Sequence, residues 1–415
     1  MSILSLIIIY ILVYYVLRLP QIYNSKSKLM DLKNKQIIST GLAMFSMFFG
    51  AGNVVFPLAL GQIAKGNTLY AILGLLITAV GVPFLGLIAM TLFDGNYKHF
   101  FNRVGKVPGF FIALAIMGLI GPLGALPRCI ALSFSTMQLY FPDMTASSFS
   151  IVSCLIIFAF TFKKNSIIDV LGVVLTPILL GSLAFIIIKG LIVSPILPIS
   201  DTSSFDIFLK GLNDGYQTMD LIGAFFFSSV VLTCLKTSPE AIGEKNDKLI
   251  INMTLKASLI GATLLSLVYI GFSFVAAFHS EGLNDISPDK LIGTIAIHVL
   301  GPYAGIVACI AVALACLTTA IALAAVFAEF IHYDISNKKI GYVPALIGTL
   351  IVTYFISILN FSGIANMLIP ILQVSYPALI LLSILNIAYK LFHFKPVKVP
   401  VIAVFVASLI GYLVA

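Results

Sequence analysis

The stretch Ser46-Met47-Phe48-Phe49-Gly50-Ala51-Gly52-Asn53-Val54-Val55-Phe56-Pro57 interrupts an apolar run over residues 37–63. In lipid every backbone N–H and C=O must find an internal partner, so a span is normally unbroken helix. Each glycine costs a helix about 1 kcal/mol against alanine. Asn53 adds a buried polar group, and Pro57 removes a donor. Small residues alone would also suit close helix packing. Together with Asn53 and Pro57 they read instead as unwound backbone beside a cavity.

A second interruption lies in 207–235, where Gly211 and Asn213-Asp214-Gly215 lead into Tyr216-Gln217-Thr218-Met219-Asp220. Around these two stretches, segments long enough to cross about 30 Å of hydrocarbon fall at 37–63, 69–92, 108–139, 149–162, 167–193, 207–235, 250–279, 302–330, 340–359, 363–390 and 397–414. The stretch 289–300 is too short to span and reads as an external or re-entrant helix. Hydrophobic types make up 60% of the 415 residues and charged types 10%, against about a quarter charged in a soluble domain. Lipid is therefore the solvent for much of the surface.

Charge placement sets the orientation. With the 18–36 stretch in the cytoplasm, the loops hold 19 of the 24 Lys and Arg inside and four outside (Lys65, Lys189, Lys210 and Lys290), with Arg128 within the membrane. This is the positive-inside pattern. The net charge of +8 is thus a topology signal, and no nucleic-acid partner is expected. The same asymmetry keeps 363–390 as one long span distorted by Pro370 and Pro377, since splitting it would place Lys390, Lys395 and Lys398 outside. Five cysteines (129, 154, 234, 309 and 316) lie in apolar segments without a CxxC, so neither disulfides nor a zinc site are expected. Five histidines near segment ends read as interfacial.

Residues 1–36 form an N-terminal extension. Residues 2–17 carry no preceding charge and no small-residue cleavage site, which argues against a signal peptide. They read as an extra helix, or Met30, opening Met-Asp-Leu-Lys-Asn-Lys-Gln, reads as an alternative start.

The breaks fall in the first and sixth spans counted from residue 37. Paired interruptions at corresponding positions of two halves point to an inverted repeat with its site at the midplane. The expected fold is an all-α polytopic membrane protein with two inverted five-helix repeats, 37–193 and 207–390, and a terminal helix at 397–414. Asp220 is the sharpest single residue. A carboxylate at mid-bilayer costs about 2.5–3.5 kcal/mol on insertion scales, so it would complete a cation site, receive an ammonium group or carry a proton. It could also simply cap the second half of span six. Arg128, after Pro127, suggests a structural role or a gate pair rather than substrate contact.

Four motifs in order, SMFFGAGNVVFP (46–57), IGPLGALPR (120–128), GYQTMD (215–220) and ACLTTAIAL (315–323), resemble the branched-chain amino acid:cation symporters, bacterial carriers of leucine, isoleucine and valine. The resemblance covers 37–414 and implies the leucine-transporter fold, the bacterial inner membrane and twelve spans, one more than counted after residue 36. By that pattern the substrate is held at Phe48, Gly50, Ala51, Gly52, Asn53, Tyr216, Thr218 and Asp220. Free N–H groups of Ala51 and Gly52 would take the carboxylate, and carbonyls of Phe48 and near Thr218 the ammonium. Phe48, Phe49, Phe225 and Phe226 would wall the apolar part, or else pack in the core. The spacing Ala315-x-x-Thr318-Thr319 resembles a sodium site completed by the carbonyls of Ser46 and Phe49, five uncharged oxygens suited to a hard monovalent ion. The two hydroxyls could instead bond back to their own helix.

The function expected is Na⁺ symport of branched-chain amino acids, with no organic cofactor. The alternative within the class is proton coupling through Asp220. From other classes, a channel or a non-transporting sensor remains. No nucleophile–base pair, histidine cluster or metal spacing supports an enzyme.

Overall fold

The computed structural model describes residues 25–162, 167–236, 247–283 and 285–414, and no strand occurs among them. The extension 1–24 lies outside the described residues. Helix α1 (Ser25–Phe48) starts upstream of the expected first span and gives way at Phe49–Gly50 to α2 (Ala51–Ala64), which carries Pro57. Span two is α3 (Thr68–Leu76), a π-helical turn (Ile77–Gly81) and α4 (Val82–Thr91). After the short α5 (Tyr97–Phe101), span three is divided into α6 (Lys106–Ile120) and α7 (Ala125–Gln138). That division sits at Gly121–Gly124, and Pro127 lies in the first turn of α7, where a missing N–H costs little.

Spans four and five are α8 (Ala146–Thr161) and α9 (Ile167–Ile192). Span six comprises α10 (Ser204–Tyr216) and α11 (Asp220–Lys236), and span seven is α12 (Asp247–Phe278). The short helix of the long loop is α13 (Leu291–Leu300). Then follow α14 (Pro302–Phe330), α15 (Tyr342–Ser357), α16 (Asn360–Phe392) and α17 (Lys398–Val414). As charge placement required, α16 runs unbroken through Pro370 and Pro377.

Among the described residues, five helical stretches meet the length and hydropathy of a membrane span, and four shorter apolar helices accompany them. Large apolar side chains stand exposed on the outside of the bundle, including Phe111, Leu155, Ile188, Phe355 and Val406. In water such a belt would be an aggregation surface; in a bilayer it is the lipid contact. The chain is a multi-pass membrane protein.

Glycines set the helix approaches that hold the breaks in place. A Cβ added at Gly211 would stand 2.2 Å from the Ala71 carbonyl oxygen, and one at Gly215 would stand 1.9 Å from Thr78 Oγ1. Thr78 Oγ1 donates to the Leu212 carbonyl at 2.9 Å. These glycines therefore lock α10 against span two and remain helical. The interruption expected from Gly211 onward is confined to Gln217–Met219. In the same way α2 meets α12 at Gly61, where a Cβ would lie 2.0 Å from the Ser273 carbonyl oxygen.

Candidate functional site

The two breaks touch. A Cβ built at Gly52 would lie 3.1 Å from the Gln217 carbonyl oxygen and 3.1 Å from Thr218 Cα. A side chain at Gly52 would press on the span-six backbone where the two segments cross, whereas one at Gly50 would meet only ordinary contacts, the nearest Asn53 Oδ1 at 3.7 Å. A cavity enclosing about 490 Å³ of empty space, counting its open part, is lined by Phe48, Gly50, Ala51, Gly52 and Asn53 of span one. Thr218 and Asp220 line it from span six, Arg128 from α7 and Thr319 from α14. Ala51, Gly52 and Asn53 form the first turn of α2 rather than unwound chain. First-turn N–H groups have no intrahelical acceptor, so they still offer donors to an anion.

Asp220 is buried, at 4% exposure. Its Oδ2 accepts from Asn53 Nδ2 at 2.7 Å and from the Tyr269 hydroxyl at 3.0 Å. Asn53 Nδ2 also donates to the Tyr269 oxygen, and Asn53 Oδ1 accepts from the Gly50 N–H at 3.1 Å. One side chain therefore caps the span-one break and ties it to the start of α11. The carboxylate of Asp220 is bonded across to spans one and seven, beyond what a cap of its own helix requires.

Arg128 is 2% exposed. Nη1 donates to the Gln217 carbonyl at 2.7 Å and Nη2 to Gln217 Oε1 at 3.0 Å. Its guanidinium carbon stands 5.5 Å from the ring centres of both Phe56 and Phe361. No ion pair among the described residues reaches Arg128 or Asp220. The cavity thus holds one group of each charge without joining them.

Other expected residues stand apart. Tyr216 packs its ring on Tyr376, 4.8 Å between centres, and does not line the cavity. Of the expected aromatic walls only Phe48 lines it, joined by Phe227 at 5.5 Å. Phe49 stacks on Phe45, Phe225 packs among Phe100 and Phe101, and Phe226 meets Tyr97, so these three serve the core. In the expected cation set, Thr318 and Thr319 hydroxyls both donate to the Ala315 carbonyl, at 2.8 and 3.0 Å. Thr319 lines the cavity; Ser46, Phe49, Ala315 and Thr318 do not.

Tyr269 and Gln217 were missed as site residues. Tyr269 sits in the largely apolar second half of α12, with no local signal. Gln217 lies within the quoted motif but is neutral, and its partner is 89 residues away.

The chain is similar to known proteins in sequence and in fold. Residues 33–415 match the model of a family described as branched-chain amino acid transport protein. The branched-chain amino acid permease BrnQ of Bacillus subtilis (strain 168) is 31% identical over 372 residues, covering 86% of this chain and 82% of that protein. In fold the chain is similar to the inward-facing conformation of Mhp1, with a TM-score of 0.63 at 15% identity, covering 91% of this chain and 88% of that one. It is also similar to MhsT in complex with L-phenylalanine, with a TM-score of 0.53 at 15% identity, covering 91% of this chain and 97% of that one. With its paired helix breaks and a family match over nearly its whole length, the chain belongs to the family of branched-chain amino acid transport proteins.

Proposed function

We propose that the protein is a secondary active carrier, not an enzyme, importing leucine, isoleucine and valine by symport with Na⁺. The observation that carries this reading is the meeting of the two breaks around Asp220 in one cavity. Such a cavity offers what a zwitterion with an apolar side chain requires. The first-turn N–H groups of Ala51 and Gly52 suit the carboxylate. Asp220 and the carbonyls of Phe48 and near Thr218 suit the ammonium, and Phe48 with Phe227 the branched tail. Asp220 therefore acts in binding, held in place by Asn53 and Tyr269.

For the coupling ion the reading assigns the carbonyls of Ser46, Phe49 and Ala315 and the hydroxyls of Thr318 and Thr319. A hydroxyl that donates its hydrogen to Ala315 keeps its lone pairs for an ion. The Ala315 carbonyl accepts both hydroxyls, so it must turn from at least one of them to serve as a ligand. A co-transported charge gains about 2.3 kcal/mol per 100 mV. At about 1.4 kcal/mol per decade this term alone supports roughly 40- to 50-fold accumulation.

Uptake of labelled leucine into proteoliposomes, with Na⁺ or H⁺ gradients imposed separately, tests the reading. Accumulation above the outside concentration that requires Na⁺ is expected. Equal uptake with and without Na⁺ under a proton gradient would move the coupling to Asp220, where the Tyr269 hydroxyl could pass a proton. Equilibration without accumulation would make the protein a channel.

A further inference from the structure

Arg128 is the cavity residue to which the carrier reading gives no task. A guanidinium taken out of water is costly unless a counter-ion or well-placed acceptors replace the solvent. Here its two terminal nitrogens are met by two neutral oxygens of a single residue, the Gln217 carbonyl at 2.7 Å and Gln217 Oε1 at 3.0 Å. Two oxygens side by side on the fork is how a carboxylate binds arginine. Nε has no partner among the described residues. The rings of Phe56 and Phe361 at 5.5 Å hold the group in place. In the same cavity stands Asp220, with no ion pair to Arg128. Its hydrogen bonds from Asn53 and Tyr269 both meet Oδ2.

An α-amino acid carries the complementary pair of charges on one carbon. We propose that Arg128 receives the substrate's carboxylate, with Gln217 Oε1 yielding its place on the fork as the carboxylate arrives. The α2 N–H groups then share the anion with Arg128, while Asp220 takes the ammonium. Both poles of the zwitterion are matched inside an apolar bundle, and a ligand lacking the carboxylate leaves the buried guanidinium on its neutral acceptors. The inference rests on the amino acid reading above and adds the residue that selects for the free carboxylate over its amide.

The test is binding of leucine and of leucinamide, which keeps the ammonium and loses the carboxylate, to the purified full-length protein by calorimetry. The native carrier is expected to prefer leucine by at least about 100-fold, a floor well below the roughly 10⁴-fold that a site built around a polar group its ligand lacks can reach. In Arg128→Met, leucine affinity should fall about 100-fold and leucinamide affinity less than about threefold, so the preference collapses. A residue that merely holds the span-six break would weaken both ligands alike, and that result overturns the proposal. Should Arg128→Met fail to fold, Gln217→Ala decides: removing the competing oxygen should tighten leucine binding by about threefold. Unchanged or weaker binding overturns the proposal. If the native protein binds leucinamide as tightly as leucine, Arg128 is not the receptor and the carrier reading stands. If it binds neither, the carrier reading itself falls.

Discussion

Phe49–Gly50 in span one and Gln217–Met219 in span six interrupt helices at the same cavity, but by different means. In span one the chain at Gly50 is extended, with φ −111° and ψ −168°. Any residue adopts that conformation, and the freed N–H is satisfied three residues on by Asn53. In span six Met219 is left-handed, at φ +64°. An L side chain there costs about 1–2 kcal/mol and persists only where the surroundings over-determine it. The surroundings are tertiary: Arg128 grips Gln217, and Gly211 and Gly215 clamp the preceding helix to span two. One break is closed by its own neighbours and the other by distant residues. A glycine therefore marks the first break but not the second.

The sharpest challenge to this comparison is Asp220→Asn, because Asp220 joins the two breaks through Asn53. An unmatched ammonium in a buried site should cost about 4 kcal/mol, or roughly 1000-fold in leucine affinity. Retained leucine exchange with loss of proton-dependent uptake would instead make Asp220 a proton carrier. Next comes Gly52→Leu, where a side chain must displace the Gln217 and Thr218 backbone. Uptake should fall about 100-fold while the protein still inserts, as surface labelling would check. Normal uptake would show that the breaks do not need to touch.

Asn53→Ala removes the local cap and both links to Asp220 and Tyr269. A loss of about 2 kcal/mol, or roughly 30-fold in leucine affinity, is expected by calorimetry. A loss smaller than about threefold would show that the first break does not depend on its local cap. For the coupling ion, Thr319→Ala should raise the Na⁺ giving half-maximal uptake about tenfold and Thr318→Ala about threefold, since only Thr319 lines the cavity. Unchanged Na⁺ dependence in the double variant removes this site. The smallest effect belongs to Gly50→Ala: its backbone is extended and its Cβ direction open, so leucine uptake should stay within about threefold. A large loss there would mean that Gly50 meets the substrate through its backbone alone.

Much of the fold was legible because membrane insertion imposes simple rules on sequence. Span positions followed from apolar length, and the unbroken α16 followed from the charges at Lys390, Lys395 and Lys398. The first break was placed rightly at Phe49–Gly50 but read too long, since Ala51, Gly52 and Asn53 open α2 as its first turn. The second was read too early, because Gly211 and Gly215 look like helix breakers and are contact surfaces for Ala71 and Thr78. Among the aromatics, Phe48 was separable from Phe49, Phe225 and Phe226 only by which way each faces, which a span apolar on all sides does not encode.

By itself the sequence determined the solvent, the helical class and the pairing of breaks in spans one and six. Each of these rests on composition summed over whole segments or on short local runs of glycine, proline and polar residues, signals that need no contact map. Only the tertiary structure decided where the second break lies and which side chains face the cavity. It also brought Asn53 and Tyr269 to Asp220 and Arg128 to Gln217. Those are pairings between residues 49 to 216 positions apart, set by the glycine-to-backbone approaches that fix how the helices cross, and no local pattern carries that information.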